Sequence, residues 1–176
     1  MDGFSFYSSF GKPRPQPTTA GSPGFQFPTK DAYKFYLEAG STKNLATLIG
    51  DSIAFWQEMY KHPTYDDWWK ARNPRNFVNN IPNHTATLVV GGLFDAEDCF
   101  GAWRTYEAIE KKAKNNNRIV MGPWYHGQWS ATDGSSMGNA RFGSNTSAYY
   151  QNEIEIPFFM HHLEGKANID DLAEAT

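Results

Sequence analysis

The runs Val89-Val-Gly-Gly-Leu-Phe-Asp-Ala-Glu-Asp98 and Met121-Gly-Pro-Trp-Tyr-His126 hold the residues best suited to chemistry. In the first, a β-rich stretch ends in a glycine pair and delivers Asp95. In the second, a β-rich stretch ends in Gly-Pro and delivers His126. Two parallel strands joined by a helix would bring this acid and this imidazole to neighbouring carboxyl edges of one sheet, where open α/β sheets build their sites. A carboxylate that fixes the tautomer of a general-base histidine is two-thirds of a hydrolytic triad. Each residue alone has an ordinary structural use, Asp95 in a turn and His126 in a loop. Paired across one strand–helix–strand unit, they read as catalytic. No serine in a nucleophile setting precedes them, so the chain reads as the C-terminal part of a hydrolase catalytic domain.

Glu97 and Asp98 follow Asp95 at the start of the next helix. Acids in a first helical turn complement the helix dipole, which is their structural reading. Three carboxylates so close together also repel one another unless a cation joins them, and an ammonium group on a substrate would fit. Other motifs carry less. Gly134-Ser-Ser136-Met-Gly138 matches the nucleophile-elbow pattern, but it lies after the histidine in a loop with no strand before it, so Ser136 is not read as the nucleophile. His161 and His162 are adjacent on a helix, face different directions and make a poor metal site. Asn83-His-Thr and Asn145-Thr-Ser match the glycosylation sequon, a pattern common by chance. No metal and no organic cofactor is expected.

The elements that must position these residues begin near Asn80. Thr85–Val90 is a short β-branched apolar run suited to a buried parallel strand. Asp98–Lys114 predicts a helix with Phe100, Trp103, Tyr106 and Ile109 on one stripe and lysines near its end. Arg118–Met121 is the next strand, 127–145 a Gly/Ser/Asn loop, and Ser147–Leu163 an amphipathic helix interrupted at Pro157. The last dozen residues read as a linker. Ahead of Pro74 the character differs. Pro13, Pro15, Pro17, Pro23 and Pro28 make residues 1–28 an irregular, aromatic-bearing loop. Short helices follow over Asp31–Ala39 (capped by Thr29, stopped by Gly40), over Asn44–Leu48, from an Asp51 or Ser52 cap through Tyr60, and over Tyr65–Ala71. The expected division is a cap segment over 1–75, a core segment over 76–165 and a linker over 166–176.

Composition bounds the partners. The chain has 176 residues, a net charge of −3 and a pI near 5.9, so no basic field exists to hold nucleic acid or an anionic membrane. No apolar run approaches the ~18 residues of a transmembrane helix. Cys99 is the single cysteine, which rules out an internal disulfide. Six Trp, nine Tyr and thirteen Phe accompany a mean hydropathy of −0.62. So many aromatics are either buried or waiting for a partner surface.

His62-Pro-Thr-Tyr-Asp-Asp-Trp-Trp69, Gly91-Gly-Leu-Phe-Asp-Ala-Glu-Asp98 and Gly122-Pro-Trp-Tyr-His126 carry a resemblance, supported by Arg141-Phe-Gly-Ser144 and His162-Leu-Glu-Gly165. Over most of residues 45–165 the chain resembles the serine hydrolases that include α-amino acid ester hydrolases, glutaryl cephalosporin acylases, cocaine esterase and X-Pro dipeptidyl-peptidases. Its Asp-x-Glu-Asp form looks more like the amino acid ester hydrolase branch than like cocaine esterase. The resemblance implies the C-terminal portion of an α/β-hydrolase core with a helical cap segment, followed in the family by a jelly-roll domain. It also implies Asp95 as triad acid, His126 as triad base, and Glu97 and Asp98 as members of the carboxylate cluster that receives a substrate's α-ammonium. The family's nucleophile strand, oxyanion-hole tyrosine and third cluster carboxylate would lie upstream of Met1, and its jelly roll past Thr176.

The expected function is therefore acyl transfer on a small ester, amide or peptide through an acyl-enzyme, with this chain inactive alone. Two alternatives stay open: a non-catalytic binding or scaffold domain, and a subunit that completes a site in trans. Nothing in the first residues marks a compartment, and the resemblance suggests a periplasmic or secreted full-length protein. A half-domain would expose apolar surface, so an oligomer or a poorly folded chain is expected in dilute solution, with Trp56, Trp68, Trp69 and Trp103 packing on missing segments.

Overall fold

The computed structural model describes residues 12, 14, 16–21, 24–50 and 53–176. Pro13, Pro15 and Pro23 of the expected loop and the expected caps Asp51 and Ser52 lie outside the described residues. The chain forms two compact units, Met1–Arg72 and Asn73–Thr176.

The first unit is helical. It contains α1 (Ala32–Ala39), α2 (Thr42–Ile49), α3 (Ala54–Lys61) and the single-turn α4 (Asp67–Lys70). Asp31, not Thr29, caps α1: its carboxylate accepts the Lys34 N–H at 3.0 Å, while the Thr29 hydroxyl accepts the N–H of Asp31. Asp31 adjoins the helix, so its carboxylate reaches the orphan N–H three residues on, which Thr29, two residues earlier, does not. Gly40 and Gly50 end α1 and α2 with φ of 71° each, a left-handed conformation that costs glycine little. Phe35, Leu45, Ala46, Ile53 and Trp56 form the core, with Trp56 buried inside the unit and not waiting for a missing segment.

Trp68 and Trp69 are likewise used locally. Asp66 caps α4 through Oδ1 and holds the Nδ1 of His62 through Oδ2 at 2.7 Å. The His62 ring stacks on Trp68 at 4.8 Å with 5° between planes, the Arg72 guanidinium lies over the Trp68 ring with Cζ 3.8 Å from its centroid, and the Trp69 indole N–H donates to the His62 carbonyl. The His-Pro-Thr-Tyr-Asp-Asp-Trp-Trp motif is therefore a folded corner between α3 and α4, and α4 is shorter than the expected 65–71 because Asp66 starts it late.

The second unit opens with two 3-10 turns, Pro74–Asn76 and Val78–Asn80, the first begun by Pro74, whose missing N–H costs nothing at a helical first position. Then come β1 (Thr87–Gly92), α5 (Cys99–Lys112) and β2 (Asn117–Gly122). The strands pair in parallel from Thr87 opposite Asn117 to Gly92 opposite Gly122. Strand β1 thus starts and ends two residues later than expected, with the glycine pair inside it. The α5 stripe is graded: Ile109 is buried, while Phe100 and Trp103 are exposed.

Residues 127–145 hold more order than a loop. They contain the single-turn α6 (Gln128–Ala131) and the two-residue strands β3 (Ser136–Met137) and β4 (Ala140–Arg141), paired antiparallel. The final helix runs as α7 (Thr146–Tyr150), a π-helical stretch (Gln151–Glu155) and α8 (Ile156–Glu164). Pro157 lacks the N–H that would bond the preceding turn, and the wider π stretch lies just ahead of it. Val120, Trp124, Tyr150 and Ile154 form the core that joins β2 to this helix.

The last residues do not trail away. Ile119 donates to the Glu174 carbonyl at 2.9 Å, Met121 to the Thr176 carbonyl at 2.8 Å, and Thr176 back to Ile119 at 3.0 Å. The tail therefore lies along the free edge of β2, where backbone groups need partners whatever the side chains are.

Candidate active site

Asp95 and His126 are built onto the ends of β1 and β2 by backbone bonds that extend the sheet. Leu93 donates to the Gly122 carbonyl at 2.9 Å and Phe94 to the Trp124 carbonyl at 3.1 Å. The Asp95 N–H then folds back to Gly92 at 3.2 Å, closing a turn that points the chain out of the strand. On the other side the Gly122 carbonyl also takes the N–H of Trp124 at 2.8 Å across Pro123. Glycine is required at both strand ends by this close approach. A Cβ on Gly92 would fall 2.2 Å from the Trp124 carbonyl oxygen, and one on Gly122 would fall 2.4 Å from its indole.

The loop bearing His126 is fixed by residues that sequence reading missed. Gln128 is 1 % exposed; its Oε1 accepts the Tyr125 N–H at 3.1 Å and its Nε2 donates to the Ser136 carbonyl at 2.8 Å. Trp124 donates its indole N–H to the Thr146 hydroxyl at 2.9 Å, and Gln151 donates to the Trp129 carbonyl at 2.9 Å. The only sequence signal for this set is a glutamine in the second position after the histidine, which by itself reads as a surface residue.

His126 Nδ1 lies 2.9 Å from Asp95 Oδ2, inside the hydrogen-bond range expected from the two strand-end motifs. Asp95 has a side chain 2 % exposed, and its Oδ1 accepts the N–H groups of Glu97 at 2.8 Å and Asp98 at 3.1 Å. Burial pushes the Asp95 carboxyl up, but the two backbone N–H groups and the imidazole outweigh it and hold the group below its ordinary value. The imidazole is 63 % exposed. The hydrogen bond from Asp95, then its charge, and more weakly the charges of Asp98 and Glu97, raise His126 above the usual histidine value against the lowering effect of desolvation. Since Nδ1 is engaged by a buried carboxylate, Nε2 is the ring nitrogen left to accept a proton.

Glu97 and Asp98 are exposed beside the pair, and the carboxylate of Asp98 approaches His126 Nδ1 to 3.3 Å. Among the described residues, Asp95, Asp98 and His126 are the group whose potential metal-ligand atoms come together, all within 4.8 Å. The Asp95 oxygens already serve two backbone N–H groups and the imidazole, which suits an orienting acid better than a metal ligand. His161 and His162 have rings 4.8 Å apart, with His161 Nδ1 against the Ala167 carbonyl.

Ser136 stands in β3 of a tight hairpin, not between a strand and a helix. Among the described residues no non-glycine residue has positive φ, so the strained turn of a nucleophile elbow is absent at Ser136.

The family model of the X-Pro dipeptidyl-peptidase (S15 family) matches residues 18–128, a span that includes both Asp95 and His126, and the chain belongs to that family. A solved aminopeptidase from a marine sediment archaeon, Thaumarchaeota archaeon, is 31 % identical with a TM-score of 0.78 over 87 % of this chain and 25 % of its own. The chain thus spans about a quarter of that neighbour's length. A search of curated proteins returns no match. The family and the neighbour fit the α/β-hydrolase-like fold expected from the sequence.

Proposed function

We propose that this chain supplies the acid–base half of a serine-type acyl-transfer centre that hydrolyses esters or amides, with α-amino acyl compounds as the substrate class. The observation that carries the reading is the 2.9 Å contact between exposed His126 and buried Asp95 at adjoining strand ends. In the reaction His126 Nε2 takes the proton of an attacking serine hydroxyl, and Asp95 holds the ring and stabilises the imidazolium that forms. The proton then passes from Nε2 to the leaving alkoxide or amine, and a water repeats the sequence to release the acid. Glu97 and Asp98 form an acidic rim suited to a substrate ammonium group. The serine comes from a segment joined to this chain or from a partner polypeptide, either a missing hydrolase segment or a second subunit.

The test has two stages. The 176-residue protein alone should turn over p-nitrophenyl and amino acid esters no faster than its His126→Ala variant, because a triad acts as a unit. Robust turnover abolished by Ser136→Ala would instead make Ser136 the nucleophile. The coding sequence just upstream of Met1 is then read for an in-frame Gly-x-Ser-x-Gly following a β-rich run, and the joined polypeptide is expressed. Its ester turnover should fall on the order of 10³-fold or more in His126→Ala. A joined polypeptide without turnover, or without such a serine, favours a binding or scaffold domain.

A further inference from the structure

Arg118 Nε on β2 and His162 Nε2 on α8 are sealed from solvent without a hydrogen-bond partner. Side chains alternate along a strand, so Arg118 emerges beside Val120 on the face of β2 that packs against the last helix. The guanidinium is used to hold the tail: Arg118 Nη1 donates to the Leu172 carbonyl. His161 Nδ1 lies 2.7 Å from the Ala167 carbonyl and fixes the start of the same segment, which then pairs along β2 through Ile119, Met121 and Thr176. The titratable and charged groups acting on His162 are His161 on its own helix and Arg118 on β2, and the Phe158 ring lies 4.5 Å away. The tail brings Asp170, Asp171 and Glu174. Glu174 accepts from the Tyr106 hydroxyl, and among the described residues none of the three acids forms an ion pair. Burial, then the charges of His161 and Arg118, hold His162 below the usual histidine value.

We propose that Arg118 and His162 form an acid-sensitive latch for the tail: neutral His162 lets Arg118 hold Leu172, and protonated His162 drives the guanidinium off that carbonyl, so that residues 172–176 lift from the free edge of β2. A neutral imidazole can leave Nε2 as a bare nitrogen, at the cost of one unmade hydrogen bond. Protonation puts an N–H⁺ there with no acceptor and no water, beside a guanidinium that stays charged at every pH. Moving Arg118 relieves the repulsion and breaks its bond to Leu172. The bond from His161 Nδ1–H to Ala167 survives in either protonation state, so the tail pivots there, next to Gly165 with its φ of 65°. What opens is the row of Ile119 and Met121 N–H groups. The sign follows from the lowered value of His162: the closed latch is at full strength above about pH 6.5 and weakens as pH falls from there to the folded value. Neither residue belongs to the Asp95–His126 pair, so the latch does not depend on the acyl-transfer reading.

The experiment is amide hydrogen exchange of the 176-residue protein read by NMR between about pH 8 and about pH 4, corrected for the intrinsic effect of pH on exchange, together with a ¹⁵N titration of the His162 ring. Protection of the Ile119, Met121 and Thr176 N–H groups should start to fall near about pH 6.5, by up to about tenfold per pH unit, and level off at the midpoint of the His162 ring. The Leu93 N–H, bonded to the Gly122 carbonyl on the other side of β2, should keep its protection throughout. His162→Phe and His162→Gln should hold the three tail bonds at a constant protection over the same range. Arg118→Gln, which removes the charge and keeps a donor, should raise the His162 midpoint and shrink the loss. Protection that ignores pH in the unaltered protein overturns the latch. So does a loss that sets in only around pH 4, the ordinary carboxylate range, which would assign the release to the acids of the tail. A loss that persists in both His162 variants, or a His162 midpoint unmoved in Arg118→Gln, overturns it as well.

Discussion

The indole of Trp124 occupies the space that a side chain on Gly122 would need, with ring atoms 2.4–2.5 Å from the position of a Cβ there. Trp124 is itself 2 % exposed and carries the backbone two residues before His126. The glycines at the ends of β1 and β2 therefore set the distance between the acid and the base, because they let the Trp124 backbone and ring close the gap between the strand ends.

Gly92→Ala and Gly122→Ala should each destabilise the protein by about 1–3 kcal/mol, the cost of forcing extra atoms into a packed site. At Gly92 the obstacle is a backbone carbonyl 2.2 Å away, so the loop before His126 must move. Gly101→Ala is the control. Its Cβ would meet nothing nearer than 4.0 Å, and a helix interior gains about 0.5–1 kcal/mol from the exchange. Urea denaturation of the three variants measures the order. Equal midpoints for Gly92→Ala and the unaltered protein would show that the close approach imposes nothing.

Stability should depend on pH through the same pair, with a sign fixed by each group. Asp95 sits below its ordinary value in the fold, so its contribution is present above about pH 4 and is lost as pH falls through the folded value. His126 sits above its ordinary value, so its contribution is full below about pH 6.5 and is lost as pH rises through the folded value. Both are present between those limits, where the melting temperature should peak. His126→Ala should flatten the alkaline flank of that curve and Asp95→Asn the acid flank. Identical curves for all three proteins would mean that the contact contributes no stability in solution.

Asp95 and His126 were legible because each ends a short β-branched run at a glycine, and the runs are spaced by one helix. The exact strand ends were not. Gly91 and Gly92 have low strand propensity, but the register with Met121 and Gly122 and the Trp124 carbonyl give their backbone partners. The order within residues 127–145 was hidden because Gly, Ser and Asn show no period, and its anchor is a single buried amide. The acidic tail looks solvent-bound by composition, yet its backbone pairs with β2. Trp68 and Trp69 were assigned to absent partners because single-sequence reading cannot see the fold-back from His62 to Asp66.

Gln128→Leu should loosen the site without touching it. The substitution keeps the volume but removes the acceptor for the Tyr125 N–H and the donor for the Ser136 carbonyl, at a side-chain position that is itself 1 % exposed. Unsatisfied groups of this kind cost on the order of 1–3 kcal/mol each. Thermal melting should register the loss, and the His126 ring signals should broaden or shift while those of His62 in the other unit stay in place. A variant as stable as the original, with His126 signals unmoved, would show that the buried amide is not what holds the loop.

The last expectation concerns association. Among the described residues, β1 pairs with β2 alone, while the far edge of β2 is taken by residues 174–176. Leu93, Phe94, Phe100 and Trp103, on β1's exit and on α5, are all exposed. Such an edge beside apolar side chains is a template for pairing with another chain. At ~25 cal/mol per Å², covering several hundred Å² contributes on the order of 10 kcal/mol, comparable to the stability of a whole domain. The 176-residue protein should therefore sediment as an oligomer, or show a broad, concentration-dependent melt that sharpens as concentration rises. Adding a polypeptide that carries the serine segment should convert it to a discrete complex and raise its melting temperature. A monodisperse monomer with a sharp melt independent of concentration would instead mark a self-sufficient domain, and would turn the reading of this surface from hydrolase interior to binding face.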